Sequence, residues 1–176
     1  MNPKSILNLF SILILLFSFS YIFPIIVSII YDDGALGLFT TTLAFVSLVG
    51  LSGLILTRNV KSDLSQKDGF VIIVMFWVVL SLAGSVPFFL SGMSLIDSIF
   101  ESMSGITTTG ATVISSLDAL PESILFYRQL LQWMGGMGLI VLAIAVMPLL
   151  GIGGGQIYKT EVPGAMGEQR LTPRIK

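Results

Sequence analysis

Along this chain, charge-free apolar runs alternate with short polar punctuation, and the runs differ in kind. Ile6 to Ile30 carries no charge and is interrupted only by Asn8, four serines and Pro24. A crossing helix needs roughly 20 apolar residues, so this run is long enough to span with some tilt. Pro24 predicts a kink within it. A secretory signal peptide is the competing reading, but its apolar region runs only about 7–15 residues and ends at a small-residue cleavage site, and neither feature fits. After "YDDGALG", Leu38 to Leu56 forms a second uncharged run that ends in the basic stretch "TRNVKSDLSQKDG". The third, Phe70 to Leu90, ends in "VPFFLSG", where Pro87 and Gly92 act as stop signals.

The next segment breaks the rhythm. "SLIDSIFESMSG" puts Leu95, Ile96, Ile99, Phe100 and Met103 at helical spacing, with Ser94 as N-cap and Asp97 three residues on. A helix of about ten residues reaches only ~15 Å, too short to cross a bilayer. Gly105 ends it, and "ITTTGATVISSLDALPES" follows with no helical pattern before a last run, Leu125 to Leu150, begins. The predicted fold is an all-α integral membrane protein. A pair of N-terminal transmembrane helices (1–60) and a cytoplasmic link (61–69) precede one helix–re-entrant helix–loop–helix unit (70–150). Within that unit the spans cover 70–90 and 125–150, the short helix 95–105 and the loop 106–113, and a cytoplasmic linker or tail (151–176) follows.

Composition sharpens this picture by exclusion. Of 176 residues 54% are hydrophobic and 11% charged, with a mean hydropathy of +0.95, far from the mix of a soluble domain. Cysteine and histidine are absent, which removes disulfides, thiol nucleophiles, histidine-ligated haem and the usual zinc sets. No carboxylate pair or serine–base constellation stands within the apolar runs, so an enzyme is the weakest reading. "GIGGGQ", Gly151 to Gln156, follows a membrane run rather than a strand and lacks the lysine and hydroxyl of a phosphate-binding loop. A net charge of −1 gives no reason to expect nucleic acid; the partners of the apolar faces are membrane lipids.

Charge distribution sets orientation. With the N-terminus cytoplasmic and 95–113 re-entrant, eight of the nine basic residues lie inside and Arg128 alone outside, as the positive-inside rule requires. Asp32, Asp33, Asp97, Glu101, Asp118 and Glu122 then make the outer side net negative and cation-attracting. Both termini are cytoplasmic in this arrangement.

Irregular backbone at membrane depth is tolerated only where it lines an aqueous pathway or is buried in protein, because unpaired amides are costly in hydrocarbon. A short helix entering from outside directs its partially negative C-terminal end toward the midplane, where it favours a cation. Threonine hydroxyls add oxygen ligands, and glycine permits the positive φ that aligns successive carbonyls, as in the TVGYG filter of potassium channels. "TTTGAT" is a variant of that chemistry.

Three stretches carry a family resemblance: "FESMSGITTTGATV", "YRQLLQWMGGMGLIVLAIAVMPLLGIGGGQIYKTE" and "PGAMGEQRLTPRIK". With Pro24 and "YDDG", they make the chain resemble the Trk/Ktr superfamily of potassium-uptake proteins, and its TrkH-type branch in particular. The resemblance implies a bacterial or archaeal plasma membrane and four span–pore helix–span units around one pore, with an extra helix pair in front. It also implies potassium bound by carbonyls of Thr107, Thr108, Thr109, Gly110 and Ala111, with the K⁺ site centred on Thr108 and Thr109. No further cofactor is implied. The expected partners are the three other pore units, a second copy of the full protein in a homodimer, and cytoplasmic nucleotide-binding regulatory subunits. With only one pore unit, the chain reads as the N-terminal part of such a transporter. Alternatives are a homotetramer, a non-conducting or scaffold subunit, and sodium as the carried ion.

Two further sets are singled out. Glu101 and Arg128 either pair, the acid on the short helix bracing the base on the last span, or snorkel separately into water. Gly135, Gly136 and Gly138 serve either close helix packing or a gating hinge.

Overall fold

The computed structural model describes residues 3–58 and 66–149. The chain divides into two compact units, 1–140 and 141–176, and the described part of the second is the end of the last helix, residues 141–149. The tail 151–176, with "GIGGGQ", and most of the link expected at 61–69 lie outside the described residues. Everything below concerns the first unit.

Among the described residues all regular structure is helical. α1 (Pro3–Ser18) and α2 (Ile22–Tyr31) join through a 3₁₀ turn at Phe19–Tyr21. Pro24 causes the join: lacking an N–H, it cannot donate to the carbonyl of Ser20, and the helix tightens one turn ahead of it. Together Lys4–Tyr31 form a 28-residue helix long and apolar enough to cross a membrane, and α3 (Leu36–Thr57), 22 residues, is a second among the described residues. At 1.5 Å per residue these reach ~42 and ~33 Å, enough for a hydrocarbon core of about 30 Å.

The contact between α1 and α3 combines apolar packing, with Leu15 against Gly50, with polar and small groups. Asn8 donates to the Thr57 hydroxyl at 2.8 Å, and Ser47 donates to Ser18 at 3.0 Å. At Gly53 a Cβ would stand 2.1 Å from Ser11 Oγ, so the backbones meet there. Many other apolar side chains face outward: Leu16 of α1 and Ile55 and Leu56 of α3 are strongly exposed. Burying the polar groups and turning hydrocarbon outward suits a lipid solvent, in which apolar side chains gain nothing by associating with one another.

α4 (Gln66–Gly84) and α5 (Val86–Leu90) split the third apolar run at Ser85. Pro87 cannot donate to the Ala83 carbonyl four residues back, and two tyrosines from other helices cover the defect. Tyr21 donates to the Ala83 carbonyl at 2.7 Å and Tyr127 to the Gly84 carbonyl at 2.9 Å. Their rings, 5.7 Å apart, form the centre of the core with Phe39 and Phe88 at 5.6 and 5.4 Å from Tyr127.

α6 (Leu95–Ile106) and α7 (Glu122–Leu149) complete the fold, separated by a loop with a 3₁₀ turn at Leu117–Ala119. α7 starts three residues ahead of its apolar run, because the carbonyl of Pro121 accepts from Ile124 and Leu125 and closes its first turn. A second anchor reaches its start from the front helices. Asp33, in the turn after α2, accepts from Ser28 Oγ at 2.5 Å and from the Ala35 amide at 3.0 Å on one oxygen, and from the Ser123 amide at 2.8 Å on the other. Desolvation alone would raise its pKa, but the hydrogen bonds from Ser123, Ser28 and Ala35 outweigh it and hold the carboxyl at about 2. Asp33 is thus an anionic cap supplied to α7 from 90 residues away.

Candidate cation-binding loop

α6 starts as a capped helix. Ser94 Oγ accepts from the Asp97 amide at 3.2 Å and donates to the Asp97 carboxylate at 2.7 Å. Its buried residues are Ser98, Glu101, Ser102, Ser104, Gly105 and Ile106, while Leu95, Ile96 and Phe100 are exposed. Apart from Ile106, the groups facing the protein are small or polar, and Leu95, Ile96 and Phe100 face away.

The last carbonyls of α6, orphaned at a helix end, are taken up by the loop that follows. The Thr107 amide donates to Met103, Thr108 to Gly105 and Thr109 to Ser104, each at 2.9 Å. The Thr107 hydroxyl also donates to the Met103 carbonyl at 2.7 Å and lies 2.8 Å from that of Thr109. Two loop residues take left-handed backbone, Thr108 at φ +56° and Gly110 at φ +76°. Glycine accepts that region freely; a β-branched threonine is an outlier there and is held by its neighbours.

Beyond Gly110 the chain runs back along α6. Ser104 Oγ donates to the carbonyl of Ala111 at 2.6 Å. Glu101, almost fully buried, accepts from the hydroxyl of Thr112 and from the Val113 amide (2.7 Å) on one oxygen, and on the other from Arg128 Nε at 3.1 Å. The pair considered from sequence is thus one side of a wider cluster. Thr107, Thr108, Thr109, Gly110 and Ala111 are all exposed on this chain, forming a polar edge on an otherwise apolar molecule.

The three glycines of α7 have separate surroundings. A Cβ at Gly135 would stand 1.9 Å from the carbonyl oxygen of Ile106, so α7 crosses directly against the end of α6 at that residue. Gly136 has Thr108 Cγ2 at 3.9 Å and Gly138 has Phe76 Cζ at 4.0 Å, ordinary contact distances. Among the described residues no group of three or more His, Cys, Asp or Glu side chains gathers to hold a metal ion.

Sequence reasoning did not reach the bonds from Ser104 to Ala111 or from Glu101 to Thr112 and Val113, nor the Asp33 cap. Each joins groups that carry no mutual spacing signal. The glutamate within the short helix was the nearest available clue.

Comparison with known proteins places the chain. The sequence model of the TrkH family, described as a cation transport protein, matches residues 37–176. The Trk system potassium uptake protein TrkH of Vibrio parahaemolyticus is 48% identical over 178 residues, covering 99% of this chain and 37% of that protein. Its Escherichia coli counterpart is 45% identical with the same coverage, and the Escherichia coli potassium uptake protein TrkG is 40% identical, covering 99% and 36%. The crystal structure of the potassium transporter TrkH from Vibrio parahaemolyticus superposes with a TM-score of 0.82 at 47% identity, over 91% of this chain and 35% of that one. The chain thus spans little more than a third of the length of these relatives. Two crossing-length apolar helices and membership of a family of membrane transporters make it a membrane protein. The chain belongs to the TrkH family of cation transport proteins.

Proposed function

We propose that this chain takes part in potassium transport across a bacterial or archaeal plasma membrane, contributing one of four filter strands of a pore. The observation that carries the reading is the exposed loop Thr107–Ala111, with left-handed backbone at Thr108 and Gly110, seated on the C-terminal end of a helix of 12 residues. At ~18 Å that helix is too short to cross, so it enters and stops, with its partially negative end toward the loop. Carbonyls of Thr107 to Ala111 replace part of the hydration shell of K⁺, centred on Thr108 and Thr109, and selection needs no side-chain charge.

One strand cannot encircle an ion. The exposure of the loop in this chain and the greater length of its relatives support three further pore units as its neighbours. A homodimer of the whole transporter and cytoplasmic nucleotide-binding regulatory subunits complete the proposed assembly, with both termini of this chain cytoplasmic. The positive-inside bias supports that orientation.

The test is a graft. The whole chain replaces the 178 residues it matches in the Vibrio parahaemolyticus protein, and growth of a strain lacking its own K⁺ uptake is followed on low K⁺ and on Na⁺. The graft restores growth on low K⁺ and the chain alone does not. A graft present in the membrane at normal level that passes no K⁺ overturns the proposal, and one that prefers Na⁺ corrects the ion.

A further inference from the structure

We infer that Glu101 is a positioning residue for ion selection: its buried carboxylate, with Ser104, clamps the exit of the Thr107–Ala111 loop against α6. The inference rests on the proposed role of that loop. Glu101 and Ser104 stand three residues apart and therefore share one face of α6. Between them they grip three consecutive residues, Ser104 through the Ala111 carbonyl and Glu101 through the Thr112 hydroxyl and the Val113 amide. The entrance of the loop is held separately, by the carbonyls of Met103, Ser104 and Gly105. The segment that would face the ion is pinned at both ends.

The direction of the bonds matters. The Ile114 amide donates to Thr112 Oγ1 at 3.1 Å, which leaves the threonine's own proton for Glu101. Arg128 Nε and the Val113 amide are donors as well. Three donors and no acceptor face the carboxyl group, the arrangement that an acceptor-only carboxylate satisfies. Neutralising Arg128 would occupy only one oxygen. The other is committed to the loop, and because the carboxylate is only 3% exposed, movement of the loop would break buried hydrogen bonds to a charged group. Glu101 thereby links α7, α6 and the loop exit, and fixes the spacing of the carbonyls on which discrimination between K⁺ and Na⁺ depends.

Thr112 is the point of test, because it is exposed and its replacement leaves the core intact. In the grafted transporter, with membrane levels matched by immunoblot, Thr112→Val is expected to raise the K⁺ concentration for half-maximal uptake roughly tenfold and to narrow the preference for K⁺ over Na⁺. The substitution removes the bond to Glu101 and the exposed one accepted from the Ile114 amide, and losing the bond to the charged group alone corresponds to about that factor. Thr112→Ser, which keeps the hydroxyl, restores both values. Glu101→Gln, which turns an amide N–H toward a donor, narrows the preference further and speeds hydrogen exchange of the Val113 amide in the purified whole chain. A Thr112→Val transporter that selects as the unsubstituted graft does, or variants that lower uptake evenly without changing ion preference, overturn the clamp. Unchanged exchange at Val113 in Glu101→Gln does the same. A graft that reaches the membrane and carries no K⁺ in its unsubstituted form overturns the potassium reading, and the clamp's role in selection with it.

Discussion

Tyr127 donates its hydroxyl proton to the carbonyl of Gly84 at 2.9 Å, joining α7 to the point where the third apolar run breaks. Tyr21 does the same for the neighbouring Ala83 carbonyl. Replacing either tyrosine with phenylalanine keeps the ring packing and strands a carbonyl, buried at Gly84 and partly buried at Ala83, at a cost of ~1–3 kcal/mol. Thermal unfolding of the purified chain in lipid nanodiscs should show a lower Tm for each. The two rings touch, so the double variant should depart from the sum of the single losses.

Gly135 should tolerate no side chain. A Cβ there meets the backbone oxygen of Ile106 at 1.9 Å, and backbone cannot rotate away as a side chain can. Gly135→Ala is expected to cost at least the ~1–3 kcal/mol of overpacking, while Gly136→Ala and Gly138→Ala stay near the unsubstituted stability. Tm values of the three variants check this. Equal effects at all three would favour a hinge distributed along the helix over close packing at one residue.

Gly110→Ala separates folding from transport. Nothing stands within 4 Å of the added methyl, so the penalty is the left-handed backbone alone, roughly 1–2 kcal/mol. The variant should reach the membrane at near-normal level yet lose most K⁺ uptake, because relief of the strain rotates the adjoining carbonyls. Full uptake by Gly110→Ala would count against carbonyl ligation in this loop.

Asp33 should give the chain an acid-labile contribution to stability. Its carboxyl titrates near 2 when folded, below the ~3.9 of an unperturbed aspartate, so its contribution is complete above about pH 4 and is lost as pH falls from there toward 2. Asp33→Asn should lower Tm at neutral pH, by an amount corresponding to about 0.3–1 kcal/mol for an anion at a helix N-terminus, and should flatten the Tm profile between pH 4 and 2. Parallel profiles for the two proteins would show that the cap contributes nothing.

Much of the fold was legible because a bilayer imposes simple demands on sequence. Runs such as Ile6–Ile30 and Leu38–Leu56 announce themselves by length and lack of charge, and Pro24 marks a break because a missing N–H is a local defect, whereas Pro87, expected to end the third run, instead splits it at Ser85. Ser94 with Asp97 marks the start of α6 for the same local reason, and the Thr-Gly stretch with its flanks was enough to point to the family. Partnership was not legible. Tyr21 and Ala83 are 62 residues apart, and Asp33 and Ser123 90 apart; no period in the chain connects them. The close approach of the Ile106 carbonyl to Gly135 and the division of the Glu101 oxygens between Arg128 and the loop have no counterpart in the sequence pattern. By itself the sequence determined where the chain is apolar, where it breaks and which helix is too short to cross a bilayer. Only the tertiary structure decided which polar group satisfies which, because hydrogen-bond partners are set by helix crossings and not by neighbourhood along the chain.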